Sequence, residues 1–272
     1  LTNTFSKSVK ETKNKIFFDK TFFYKRKFKS MPEHLKIYKA IDKADSYYTK
    51  KKDIFDIPAR LLIIGKSQLS GKSNLLLNLV VRPEYYGNDF KGENIYIVSG
   101  SLNTDMKLKN IVKVKEIPEE NLMLEYHEDI LIELYDMLQE EYQEAIEEKK
   151  KPENKLIIFD DMSFDGSLKS KAHGIINKMY MNGRHINLST FITSQKYSDV
   201  GTGIRENSNG LILFNCSNKQ LELIETDHNY LNDKKQFYKM FRDATSEKHN
   251  FFVVNYTNDK ENMYLDSNFD KL

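Results

Sequence analysis

Short apolar runs alternate with longer stretches of mixed polarity along this chain. Arg60–Ile64, Asn94–Ser99, Lys155–Phe159, Asn187–Ser194, Gly210–Asn215 and Phe251–Tyr256 are strand-sized and rich in β-branched or aromatic residues, a pattern that predicts strands. Between them, Ser73–Val81, Ser167–Gly183, Lys219–Asp227 and Lys234–Arg242 predict helices, the first stopped by Pro83. Glu119–Lys150 is long and acidic, with Tyr126, Ile130, Leu134 and Leu138 at a spacing of four. That spacing predicts one helix with a single apolar stripe, its carboxylates forming a solvated face. Asp105–Val114 is ambiguous, and Thr202–Asn207 reads as a short helix or turn. Strands that alternate with helices imply a mainly parallel sheet flanked by helices, an α/β fold.

This regular pattern begins near position 54. Residues 1–53 read as a basic extension, with a helical stretch over Met31–Tyr48, and 54–272 as the folded domain. Charge sharpens the division. Residues 1–60 carry 16 Lys and Arg against 7 Asp and Glu, whereas the remainder carries 26 against 33. A basic arm on an acidic body suits a polyanionic partner, and the Lys/Tyr/Phe mixture at Phe22–Phe28 could stack on bases or pack on the core. No apolar run approaches the ~20 residues of a transmembrane helix, and the basic, polar start is unlike a secretory signal. The first residue is Leu, so a start upstream is expected. The single cysteine, Cys216, cannot form an internal disulfide and fits a reducing compartment. The histidines show no metal-ligand spacing.

The chemistry concentrates after the first strand. Gly71-Lys72-Ser73 sits between a strand and a helix. In that setting a loop turns its backbone N–H groups onto phosphate oxygens, Lys72 reaches the β- and γ-phosphates, and the Ser73 hydroxyl coordinates magnesium. The candidate nucleotide-binding stretch is Gly65, Lys66, Ser67, Gln68, Leu69, Ser70, Gly71, Lys72, Ser73 and Asn74. The usual pattern has glycine five positions before Gly71. Lys66 stands there, and Gly65 lies one residue earlier, so either fills the first-glycine part. Asp160 and Asp161 close an apolar strand run. Asp160 suits magnesium, and Asp161 suits polarisation of an attacking water. Gln195 ends the next strand and could orient that water. Arg184 and Arg205 are the candidate cations for the transferring phosphate. These features describe a P-loop NTPase.

Their order extends the likeness. Gly71–Leu76, Ile157–Asp161, Gly183-Arg184-His185 with Asn187-Leu188-Ser189, Gln195, then Ile204-Arg205 with Asn207, resembles the viral genome-packaging ATPases of the FtsK–HerA superfamily, in its poxvirus-type branch. The likeness extends to Phe251–Asn255, Tyr264 and Asn268-Phe269-Asp270. It covers roughly residues 54–270. It implies a RecA-like ASCE fold, ATP and Mg2+ as cofactors, and a motor that pumps double-stranded DNA into a capsid. It also implies a homo-oligomeric ring of five or six copies, capsid vertex proteins as partners, and residence in the host cytoplasm, viral factory or virion. By the same resemblance, Lys72 and Ser73 contact nucleotide and metal, Asp160 binds metal, Asp161 is the catalytic acid and Gln195 the polar sensor. Arg205 ranks first and Arg184 second as the ring arginine. A helicase or plasmid-transfer ATPase of the same superfamily, and a non-hydrolytic nucleotide switch, are the alternatives.

Overall fold

The computed structural model describes residues 48–51, 54–66, 70–161 and 174–272. The expected basic arm with its helix over Met31–Tyr48, and Ser67, Gln68 and Leu69 of the phosphate loop, lie wholly or almost wholly outside them. The chain divides into two units, 1–41 and 42–272, and every described residue belongs to the second.

Eight strands form one sheet: β1 (Arg60–Ile64), β2 (Ile95–Val98), β3 (Leu122–Met123), β4 (Lys155–Phe159), β5 (Leu188–Ser194), β6 (Gly210–Phe214), β7 (Phe251–Asn255) and β8 (Tyr264–Leu265). Their order is β3-β2-β4-β5-β1-β6-β7-β8. All neighbours from β3 to β6 run parallel; β7 pairs antiparallel with β6, and β8 antiparallel with β7. The mainly parallel α/β sheet expected from the alternating pattern is therefore present.

Strand alternation splits the core into two layers. Leu61, Ile63, Ile95, Ile97, Leu156 and Ile158 pack with helices α1 (Lys72–Val81) and α2 (Met106–Lys115) on one face. Leu62, Ile64, Val98, Ile157 and Phe159 pack on the other. That second face is covered by α3 (Glu128–Glu147), α4 (Ile175–Asn182), α5 (Thr202–Asn207), α6 (Asn218–His228) and α7 (Lys234–Ala244). Near-continuous apolar strands such as Leu156–Phe159 are needed because both faces are covered.

Local rules set the helix ends. Arg82 closes α1 with φ −78° and ψ 134°, the extended conformation that Pro83 imposes on its predecessor. The ambiguous Asp105–Val114 segment is helical because the Asp105 carboxylate accepts hydrogen bonds from Lys107 N (2.7 Å) and Leu108 N (3.4 Å), an N-cap.

One expected helix needs correction. Glu119–Lys150 does not start as a helix; Glu119–Asn121 is a 3-10 turn, Leu122–Met123 is the edge strand β3, and α3 starts at Glu128. Buried Asn121 explains the change, since its side-chain amide donates to the Glu93 and Ile95 carbonyls and ties this segment to β2. The stripe shifts with it: Leu131, Leu134, Tyr135, Leu138 and Tyr142 face the core, while Ile130 is exposed.

Candidate functional site

The C-terminal ends of β1, β4 and β5 lie side by side; those of β1 and β4 lead into one cleft, and β5 supplies Thr193 and Gln195 as hydrogen-bond partners of its acids. In open parallel sheets this is the end where ligands bind. The cleft measures about 560 Å³ and is lined by Ser70–Asn74, Asp160 and Asp161, among others.

The phosphate loop leaves β1 at Gly65, whose N–H donates to the Ser194 carbonyl of β5 (3.0 Å). A Cβ at Gly65 would lie 2.6 Å from the Ser70 Cβ and 2.9 Å from the Phe214 ring, so no side chain fits there. Gly71 has φ +94°, a left-handed conformation open to glycine at no steric cost. It opens α1, whose first free N–H groups face the cleft. Lys72 is buried, and its ammonium donates to the Gly65 carbonyl. Burial lowers its pKa, and the charges of Asp161 and Asp160 oppose that shift.

Asp160 follows β4 and is also buried. Its carboxylate accepts from Thr193 Oγ1 (2.6 Å), Ser99 Oγ (3.2 Å) and Ser101 Oγ (3.3 Å). Burial pushes its pKa up, and the Thr193 and Ser99 hydroxyls hold it down. Asp161 has φ 52°, and its N–H donates to Thr193 Oγ1 (3.0 Å). Its Oδ2 accepts from the Gln195 side-chain amide (2.7 Å), while its buried Oδ1 has no partner among the described residues. The structure thus brings Lys72, Ser73, Asp160, Asp161 and Gln195 together. Ser73 Oγ and the Asp160 carboxylate are hard oxygen donors on one cleft, a set that fits magnesium. Among the described residues no group of three or more His, Cys, Asp or Glu could hold a metal. A magnesium ion here would therefore share its shell with phosphates and water.

Ser99, Ser101 and Thr193 were not singled out by their sequence pattern. They come from neighbouring strand ends, and only the parallel register of β2 and β5 against β4 sets them around Asp160.

The two arginines lie elsewhere. Arg184 and Arg205 line a second cleft, about 670 Å³, with Arg60, the first residue of β1. This cleft sits at the N-terminal end of the parallel strands, opposite the phosphate loop. Arg205 donates to Asp227 Oδ2 (2.6 Å) and Thr202 Oγ1 (3.2 Å), and its guanidinium covers the Tyr197 ring at 4.9 Å. Arg184 is exposed and pairs with no carboxylate among the described residues. Burial lowers the Arg60 pKa, and the nearby Arg184 charge lowers it further.

A chain of hydrogen bonds, buried at Tyr197 and His228, backs Arg205. Tyr197 donates to Asp227 Oδ2 (2.8 Å), so its oxygen must accept from His228 Nε2–H (2.5 Å). His228 Nδ1 then accepts from Tyr256 (2.6 Å). Burial depresses the His228 pKa to about 4 from 6.5. As pH falls below 6.5 the unfolded chain takes up a proton that the folded chain refuses until about pH 4. Stability of up to about 3 kcal/mol, present above pH 6.5, is therefore expected to be lost across that window. Urea unfolding at pH 7 and pH 4.5 checks this: His228→Gln should lose less stability on acidification than the unchanged protein, and equal losses would refute the assignment.

A model of the poxvirus A32 protein family matches residues 47–270. No curated protein sequence matches the chain significantly. The crystal structure of B204, the DNA-packaging ATPase of Sulfolobus turreted icosahedral virus, aligns at TM-score 0.50 and 13% identity, over 74% of this chain and 94% of that one. ATPases 2 and 3 of EssC from Geobacillus thermodenitrificans align at TM-score 0.50 and 11% identity, over 65% of this chain and 36% of that one. B204 from Sulfolobus turreted icosahedral virus 2, in complex with AMPPCP, aligns at TM-score 0.47 and 14% identity, over 74% and 93%. Identities this low speak to the fold, which is that of P-loop ATPases. The family match is of another kind, since it spans the phosphate loop, the paired acids, Gln195 and both arginines: the chain belongs to the poxvirus A32 protein family.

Proposed function

We propose that this protein is an ATP-hydrolysing motor that translocates double-stranded DNA to package a viral genome. The observation that carries the hydrolytic part is the meeting of Lys72, Asp160, Asp161 and Gln195 at one sheet end. A nucleotide switch needs the lysine; it does not need a second acid oriented by an amide beside the buried one. The packaging part rests on membership of the poxvirus A32 family and on the fold shared with B204, which is described as a DNA-packaging ATPase.

In this reading the loop backbone at Ser70 and Gly71 and the start of α1 cradle the phosphates, and Gly65 is the first glycine because Ser70 closes on it. Lys72 leaves the Gly65 carbonyl to bond the β- and γ-phosphates. Ser73 and Asp160 would hold magnesium, which would neutralise phosphate charge when bound. Asp161 accepts a proton from the attacking water as its oxygen bonds to the γ-phosphorus and the β–γ bridging oxygen departs. Gln195 holds the Asp161 carboxylate through Oδ2, and Oδ1, buried and without a partner among the described residues, keeps its capacity to accept a hydrogen bond. The phosphate cation comes from a neighbouring copy, in a ring of five or six that works against a capsid vertex in the host cytoplasm or viral factory. No helix among the described residues is long and apolar enough to cross a membrane.

ATP turnover with and without duplex DNA tests the proposal. Duplex DNA is expected to stimulate hydrolysis, with no strand separation on a forked substrate. The stimulation should weaken as salt rises, because phosphate contacts release counterions. Unwinding of the fork would instead make the protein a helicase, and no hydrolysis under any condition, including in the assembled ring, would sink the motor reading.

A further inference from the structure

A third cleft, about 470 Å³, continues from the phosphate cleft past the start of α1; Gly71, Asn74 and Lys107 line both. Its character differs. Phe214 at the end of β6 and Phe251 at the start of β7 form an apolar floor, their rings in edge contact at 5.4 Å. Tyr85 forms a side wall, and Asn78 and Ser267 supply polar edges. His249 stands over the entrance. It is exposed and held at φ +73°, a conformation uncommon for residues other than glycine, and its Nδ1 lies 3.3 Å from the Ser70 carbonyl. The same nitrogen would lie 3.3 Å from a Cβ built on Gly71. The imidazole is thus fixed directly beside the phosphate loop.

We infer that this cleft holds the purine nucleoside of the nucleotide whose phosphates occupy the loop, with His249 stacked on the base. The inference rests on the nucleotide-site reading above and extends it to a part of the ligand that the loop does not touch. The chemistry fits the occupant. A purine presents a flat π-face, which aromatic and imidazole rings recognise, and an edge of donors and acceptors, which the Asn78 and Ser267 side chains can meet. The phosphate cleft, lined by Lys66, Lys72, Met106, Asp160 and Asp161 among others, has no aromatic side chain among its described lining residues. The position fits as well. Asp160 and Asp161 lie on the β4 side of the loop and the third cleft on the β6 and β7 side, so a nucleotide with its γ-phosphate at the acids points its base here. Recognition mainly by the face predicts that ATP and GTP bind alike and that pyrimidine nucleotides bind more weakly.

Equilibrium binding of ATP and of inorganic tripolyphosphate, to the unchanged protein, His249→Ala and Asn78→Trp, tests this. Removing the stacking partner, or filling the cleft with an indole, is expected to weaken ATP by about tenfold or more. Tripolyphosphate, which has no base, should bind all three proteins within about twofold of one another. Unchanged ATP affinity in both variants would overturn the inference. Equal loss of both ligands in both variants would overturn it too, because the residues would then serve the loop and not the base. Failure of the unchanged protein to bind either ligand would instead overturn the nucleotide-site reading, and this inference with it.

Discussion

Asp161→Asn is expected to lower ATP turnover by about a thousandfold while leaving ATP affinity close to that of the unchanged protein. The substitution keeps the shape of the side chain and removes its capacity to take a proton. The Gln195 amide that donates to Asp161 Oδ2 can rotate to meet either end of an asparagine amide, so the local fold should hold. The Asp161 N–H bond to Thr193 is backbone and survives. Binding should survive too, because the phosphates are held by Lys72, the loop N–H groups and the start of α1. Lys72→Ala provides the contrast: it should lose binding and turnover together. Steady-state hydrolysis, with nucleotide affinity measured separately, decides the matter. An Asp161→Asn variant that hydrolyses ATP at nearly the original rate would remove Asp161 from the chemistry and leave the switch reading in its place.

The parts of this centre that could be read from sequence are those written contiguously. Gly71-Lys72-Ser73 requires its residues side by side, and a buried strand that ends in two acids announces itself by the abrupt change from Phe159 to Asp160. Whether Gly65 or Lys66 takes the first-glycine part could not be read, because the glycine lies one residue earlier than the usual pattern has it. The answer depends on how Ser70 folds back on Gly65, a contact made five residues along the chain. The hydroxyl set around Asp160 was hidden for a different reason. Ser99 and Ser101 follow β2 and Thr193 lies in β5, and their convergence is a property of sheet order and register. The two-residue strands β3 and β8 are too short to carry a period, and β3 was absorbed into the helical pattern that follows it. His249 lies between α7 and β7 with no local signal; only the fold brings it against Gly71. The arginines were legible as candidates, but their common cleft with Arg60 was not, since it is assembled from the starts of β1 and β6 and the turn before β5.

That cleft leads to the second large effect. β1 alone spans five residues, about 17 Å, between the arginine cleft and the phosphate loop, so neither Arg184 nor Arg205 reaches the loop of its own subunit. An arginine that serves hydrolysis must act on a neighbouring copy. Resemblance favoured Arg205, but its guanidinium is committed within the subunit to Asp227, Thr202 and the Tyr197 ring, with a side chain only 12% exposed. Arg184 is exposed on the turn before β5 and has no carboxylate to release among the described residues. We therefore propose Arg184 as the arginine supplied in trans. Arg184→Ala should lower DNA-stimulated turnover by about a thousandfold without loss of ATP affinity or thermal stability. Arg205→Ala should instead leave Asp227 without its cation, held among the described residues by the Tyr197 hydroxyl alone, and lower stability by about 1–2 kcal/mol, with a smaller effect on turnover per folded molecule. Mixing Arg184→Ala subunits with Lys72→Ala subunits should recover part of the lost hydrolysis, because some interfaces then join an intact loop to an intact arginine. The reverse result, with Arg205→Ala inactive at full stability and Arg184→Ala fully active, would return the role to Arg205.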